Sequence, residues 1–167
     1  MKIALMVVAT LSLLAAKQAV AGCVWTNPVS PRFFLRGGEA VDLLTGLIWK
    51  RCSLDLTWDA DRHDCVGEIA KVGLDDALQK AKEAGSEWRV PSGPELQTIV
   101  VLTCGSPVVD IDVFPDIRKD EDGEADYWTT SPVGTTNLFY FFDFMSGRVD
   151  RHTRDSQLAI RLVRNEK

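Results

Sequence analysis

The densest chemistry in the sequence is a run of carboxylates, Asp116, Asp120, Glu121, Asp122, Glu124 and Asp126, with Gly123 among them. Calcium takes oxygen ligands from acidic loops, and an EF-hand places them at its first, third and fifth positions ahead of a glycine at the sixth. With Gly123 in the sixth place, Asp122 and Asp120 fall on the fifth and third, but Arg118 falls on the first. The run therefore reads as a solvated acidic loop and no cofactor is expected; calcium is the alternative. Either way Asp116, Asp120, Asp122 and Asp126 are candidate binding residues.

Little else points to catalysis. His63 and His152 are the only histidines, and neither a G-x-S-x-G elbow nor an H-E-x-x-H pair is present. The chain is expected to bind rather than to turn over. Trp25 and Trp58 fall in irregular segments where an indole can stay exposed, and Trp58 joins the acids as a candidate contact. Trp49, Trp88 and Trp128 sit among strand residues and read as core. Arg89, beside Trp88, reads as a tie between elements through Glu95 or Asp143 rather than as a ligand contact.

The amino-terminus has the layout of a secretory signal: Lys2, an apolar run over residues 3–16, then Lys17-Gln18. The run is too short to span a bilayer, so no transmembrane span is expected. Ala19-Val20-Ala21 is a cleavage site that leaves Gly22 first, and Val20-Ala21-Gly22-Cys23 resembles a lipobox. We read residues 1–21 as a signal peptide, with an outer-membrane lipoprotein through Cys23 as the alternative. The exported protein would lie in the periplasm or outside the cell. Losing Lys2 and Lys17 takes the formal charge from −5 to −7 over 146 residues. Nucleic acid is therefore not an expected partner.

Export favours disulfides, and the four cysteines allow three pairings. Cys52 and Cys65 flank a turn-rich segment and are paired, which leaves Cys23 with Cys104. C-x-x-C spacing is absent, which argues against zinc.

The elements that must hold these residues follow from pattern. Residues 22–38 are an extended lead-in with a short strand at 33–35, and residues 39–51 read as a hairpin turned at Thr45-Gly46. Residues 53–67 are a stapled loop. Leu74, Ala77, Leu78 and Ala81 make the apolar stripe of a helix over 74–84. Ser92 with Glu95 forms a capping box, and Pro94 suits the first turn of a second helix that runs toward Cys104. Strands are expected at 127–130, 137–145, 148–152 and 159–164, with 138–144 central and covered on both sides.

Asp42-Leu43-Leu44-Thr45-Gly46-Leu47-Ile48-Trp49, Trp88-Arg89-Val90-Pro91 with Glu95-Leu96, Val113-Phe114-Pro115, Tyr127-Trp128-Thr129-Thr130-Ser131, Phe142-Asp143-Phe144 with Gly147, and Ile160-Arg161-Leu162-Val163-Arg164 fall in a recognisable order. Together they resemble the DUF1566 family, that of the C-terminal domain of the Legionella collagen-like adhesin, over about residues 39–164, in a domain taken as 39–167. The resemblance marks Trp49, Trp88, Arg89, Pro91, Glu95, Trp128 and Arg161 as structural motif residues. It implies an α+β, C-type-lectin-like fold: two helices beside a small antiparallel sheet, with long disulfide-stapled loops. It also implies an adhesive role toward a glycan or protein at a cell surface; the oligomeric state stays open. A structural or assembly component of an envelope complex is the alternative. An enzyme of the formylglycine-generating type comes third, since the disulfides leave it no free thiol.

Overall fold

Residues 32–85, 87–102 and 105–166 are described by a computed structural model. The signal segment, Trp25 and the proposed Cys23–Cys104 pair lie outside the described residues.

Two glycine turns shape the first sheet. Gly37 and Gly46 hold φ of 54° and 70°, left-handed values that suit a residue without Cβ. The chain thus folds back twice, through β1 (Phe33–Arg36), β2 (Glu39–Asp42) and β3 (Leu47–Lys50), and the expected 39–51 hairpin is present. A final strand, β9 (Val163–Asn165), pairs with the other side of β3. Arg89 and Val163 exchange backbone hydrogen bonds of 3.0 Å, which lays the Trp88–Pro91 segment along β9.

A second sheet carries the core on both faces. It is formed by β6 (Asp126–Pro132), β7 (Leu138–Asp143) and β8 (Arg148–Thr153), with β7 in the middle. Neighbouring strand residues point to opposite faces, so the cross-strand pairs Tyr127–Phe142 and Trp128–Phe141 separate. Tyr127 and Phe142 pack with Trp49, Leu96, Phe114 and Val163 toward the first sheet. Trp128 and Phe141 pack with Leu74, Ala77, Ala81 and Ile160 under α1 (Leu74–Glu83). The early acids Asp75 and Asp76 and late Lys80 and Lys82 of α1 suit its dipole.

The expected α+β, C-type-lectin-like architecture is corrected. Among the described residues the protein is mostly β, with nine strands in three antiparallel sheets and two short helices. Three local outcomes account for the difference. Residues 53–67 contain a third small sheet, β4 (Thr57–Asp59) against β5 (Asp64–Val66). The second helix, α2 (Gly93–Thr98), stops far short of Cys104, because Val100 and Val101 leave it to pair with Val109 and Val108. β-Branched residues fit that extended pairing better than another helical turn. The last strand shortens to three residues, and the buried 158–162 segment before it docks on β6 through a Tyr127–Ala159 bridge. Strand β7 is covered on both sides only at its Phe141–Asp143 end, with Tyr140 exposed.

Candidate functional site

The β4–β5 hairpin owes its position to bonds on either side of it. The expected Cys52–Cys65 disulfide is present, with Cα atoms 5.6 Å apart. Arg51, one residue before it, is buried without a carboxylate partner and donates to three carbonyls: Val113 (3.1 Å), Gly37 (3.0 Å) and Asp112 (2.9 Å). Its guanidinium lies 3.6 Å from the centroid of Trp58. Trp58 is therefore half-buried, one face covered by Arg51 and its edge set against His63. By sequence pattern Lys50 and Arg51 mark where the strand emerges, but Arg51 is buried; its signal was a charge placed between an apolar strand and a cysteine.

Beneath the hairpin lies a buried polar network. Arg161 donates from Nη2 to Asp116 Oδ1 (2.8 Å) and Ser53 Oγ (3.0 Å) and from Nη1 to the Lys50 carbonyl (3.2 Å). Asp116 Oδ2 accepts the Ser53 amide at 3.0 Å, and Ser53 Oγ shares a 2.7 Å hydrogen bond with the Tyr127 hydroxyl. Burial alone would raise the Asp116 pKa, but the Arg161 charge and the Ser53 hydrogen bonds outweigh it and hold the carboxyl below its ordinary value. Burial, with the Asp116 charge beside it, pushes Tyr127 up to about 12. The network is thus one cation, one anion and neutral hydroxyls. It fastens the acidic segment, the staple and the carboxy-terminal segment together.

Between the hairpin and the acidic segment is a cleft of about 220 Å³. Leu56, Gly67, Ile69 and Lys71 line one side, and Asp116, Arg118, Lys119 and Asp120 the other. Asp126, Tyr127 and Ala159 close it at the second sheet. Leu56 also borders a second depression, of about 270 Å³, in which Trp58 and Lys50 lie.

Of the predicted contacts, Asp116, Asp120 and Asp126 come together at the cleft, while Trp58 borders the neighbouring depression. Asp122 is exposed and lines neither. The carboxylates are largely engaged within the protein. Asp120 pairs with Lys71 and accepts the Asp122 and Glu124 amides on one oxygen, each at 3.0 Å. Glu124 pairs with Arg148 at 2.8 Å. Among the described residues, no group of three or more His, Cys, Asp or Glu side chains is placed to hold a metal ion. Ile69, Lys71 and Lys119 were not singled out in the sequence, where residues 68–72 carry no pattern, and Arg118 entered only as the residue that breaks the EF-hand fit.

Asp126 is different. In the β6–β7 register it stands opposite Asp143, whose carboxylate accepts from the Ala125 and Met145 amides and from the Ser146 hydroxyl. Burial would raise Asp143, but those hydrogen bonds hold its pKa low, so it stays charged. Asp126 makes no ion pair, and its Oδ1 is sealed from solvent without a hydrogen-bond partner. Burial, followed by the charges of Glu124 and Asp143, pushes its pKa up to about 7.

The motif residues all fall at joints. Trp49 and Trp128 are fully buried, and Trp128 donates to the Val72 carbonyl at 2.8 Å. Trp88 is half-buried, with Lys50 and Arg164 over its ring at 4.5 and 5.0 Å. Arg89 pairs with both oxygens of Glu95 (2.8 and 2.7 Å), partly exposed rather than buried. Pro91 accepts the Thr130 amide on its carbonyl at 2.8 Å. Glu95 Oε2 also accepts the Ser92 amide, which completes the predicted capping box.

Together these features define a disulfide-stapled, mostly β module whose loops enclose a charged cleft. The chain belongs to the Lcl C-terminal domain family, which matches it over residues 38–164. A search of curated proteins gives no significant match. Among the described residues no helix is long and apolar enough to cross a membrane.

Proposed function

We propose that the protein is an exported module that acts by binding, with a glycan or protein of a cell surface as its partner. The observation that carries this reading is the cleft. Its walls are loops, yet a disulfide and a buried ion pair hold them. Such anchoring reduces the ordering cost of recognition. Membership of the Lcl C-terminal domain family supports an adhesive role. On this reading the mature protein begins at Gly22 or, as a lipoprotein, at Cys23, and works in the periplasm or outside the cell. The test is binding of the purified mature protein to a glycan array and to intact cells, beside Lys71→Glu and Asp126→Asn. Both variants are expected to lose at least about tenfold in affinity, roughly 1.4 kcal/mol. Unchanged binding by both would remove the cleft from the recognition surface.

One observation favours a second reading, an assembly component that binds protein. Phe34 on β1 and Leu43 and Leu44 in the turn after β2 are 57%, 58% and 77% exposed. The Leu43 amide bonds the Arg32 carbonyl at 2.9 Å, so that turn adjoins the start of β1. Apolar residues gathered at a sheet edge mark contact surfaces more often than scattered ones do. Recovery of one envelope protein by cross-linking at Leu44, lost in Leu43→Ser/Leu44→Ser, would support it.

A further inference from the structure

We propose that the cleft binds a zwitterion of amino-acid size, its ammonium group on Asp126 and its carboxylate on Arg118 and Lys119. The proposal rests on the reading of this cleft as the recognition site. It follows from which charges the protein has already matched. Asp116 is paired with Arg161, Asp120 with Lys71 and Glu124 with Arg148. Three charged groups of the cleft remain without an ion-pair partner among the described residues: Asp126, Arg118 and Lys119. Asp126 shares a hydrogen bond with Glu124, another acid, so one acid and two bases border the same space without a counter-charge.

The two ends are not equivalent. Arg118 and Lys119 are exposed, where water already solvates them. Asp126 is partly buried, with Asp143 opposite and Glu124 two residues before it, and Arg148 is the one cation that offsets them. A cation set against Asp126 relieves a repulsion that the fold itself imposes. A ligand bearing only an amine would meet Arg118 and Lys119 as like charges, and one bearing only a carboxylate would meet Asp126. A zwitterion satisfies both ends. Leu56, Ile69 and Ala159 supply an apolar flank for an aliphatic side chain. The cleft, of about 220 Å³, has room for a group of amino-acid size.

The experiment is a titration of the ¹⁵N-labelled mature protein with L-leucine, beside its two charge-deleted analogues, isoamylamine and 4-methylpentanoate. Leucine is expected to shift the amides of Ile69, Lys119 and Asp126 and to bind at least about tenfold more tightly than either analogue. Asp126→Asn should weaken leucine by a similar factor while leaving 4-methylpentanoate no weaker. The surface variant Arg118→Ala/Lys119→Ala, which removes no buried contact, should do the reverse for isoamylamine. Equal affinity for leucine and one analogue overturns the proposal. So do cleft amides that stay unmoved at about 20 mM leucine, a concentration that detects even millimolar binding. If glycan or cell binding persists while leucine leaves the cleft unmoved, the recognition reading stands and this inference falls. If leucine binds in the cleft of a protein that attaches to no surface, the inference stands and the adhesive reading falls.

Discussion

Arg161 Nη2 lies 2.8 Å from Asp116 Oδ1, with neither side chain exposed to solvent. The pair joins the segment before β9 to the acidic segment and, through Ser53, to the staple. Removing one partner of a buried pair strands a charge, at a cost of about 3–5 kcal/mol. Arg161→Met is therefore expected to lower the unfolding free energy obtained from urea titration by an amount of that order. Arg161→Met/Asp116→Leu should recover much of it, because no buried charge is left. A single variant within about 1 kcal/mol of wild type would show that water reaches the network.

Asp126 gives stability a pH dependence of uncommon sign. The unfolded carboxyl titrates near 3.8 and the folded one at about 7, so the fold holds an extra proton between those values. Stability from this group is unaffected below 3.8, falls as pH rises through the window and stays reduced above 7. Asp126→Asn should remove the decline and exceed wild type at pH 8 by about 1–2 kcal/mol, well under the unscreened value because the side chain is partly exposed. Melting curves from pH 5 to pH 8 read it directly; parallel profiles for the two proteins would refute it.

What the sequence disclosed was local. Thr45-Gly46 announced its turn, Ser92 and Glu95 the cap, the Leu74–Ala81 stripe a helix, and the spacing of Cys52 and Cys65 their bond. What it concealed depends on partners far along the chain. Asp116 reads as one acid of a solvated run, and only its contact with Arg161, 45 residues away, makes it an anchor. Ser53 meets Arg161 across 108 residues. The early end of α2 depends on Val109, which no helical periodicity contains. The strands around Trp58 are three residues each and rich in Asp, too short for alternation to show.

The cap of α2 makes a separable contribution. Ser92 Oγ accepts the Glu95 amide and Glu95 Oε2 accepts the Ser92 amide. Arg89, mainly, and the Ser92 bonds hold Glu95 at about 2 against burial. Ser92→Ala should cost about 1 kcal/mol, the usual value for a lost cap, and raise hydrogen exchange in α2 before the sheets. Because Glu95 is depressed from 4.5, its contribution is complete above that value and lost as pH falls toward 2. Glu95→Gln should flatten the acid limb of the melting profile.

The acidic loop makes a prediction about calcium. Asp120 is held by Lys71 and by two backbone amides of its own turn, and Glu124 is held by Arg148, so both point their charge at protein donors. Binding calcium would require these contacts to break and the carboxylates to turn toward one centre. A bound ion present at a hundred times its Kd would stabilise the fold by about 2.7 kcal/mol, several degrees in Tm for a domain of this size. Adding about 1 mM calcium, or chelating it, is instead expected to leave Tm within about 1 °C. Asp120→Asn, which removes the Lys71 charge pair and weakens the turn, should lower Tm equally with and without the ion. A calcium-dependent rise in wild type that Asp120→Asn abolishes would show that the loop rearranges around a metal.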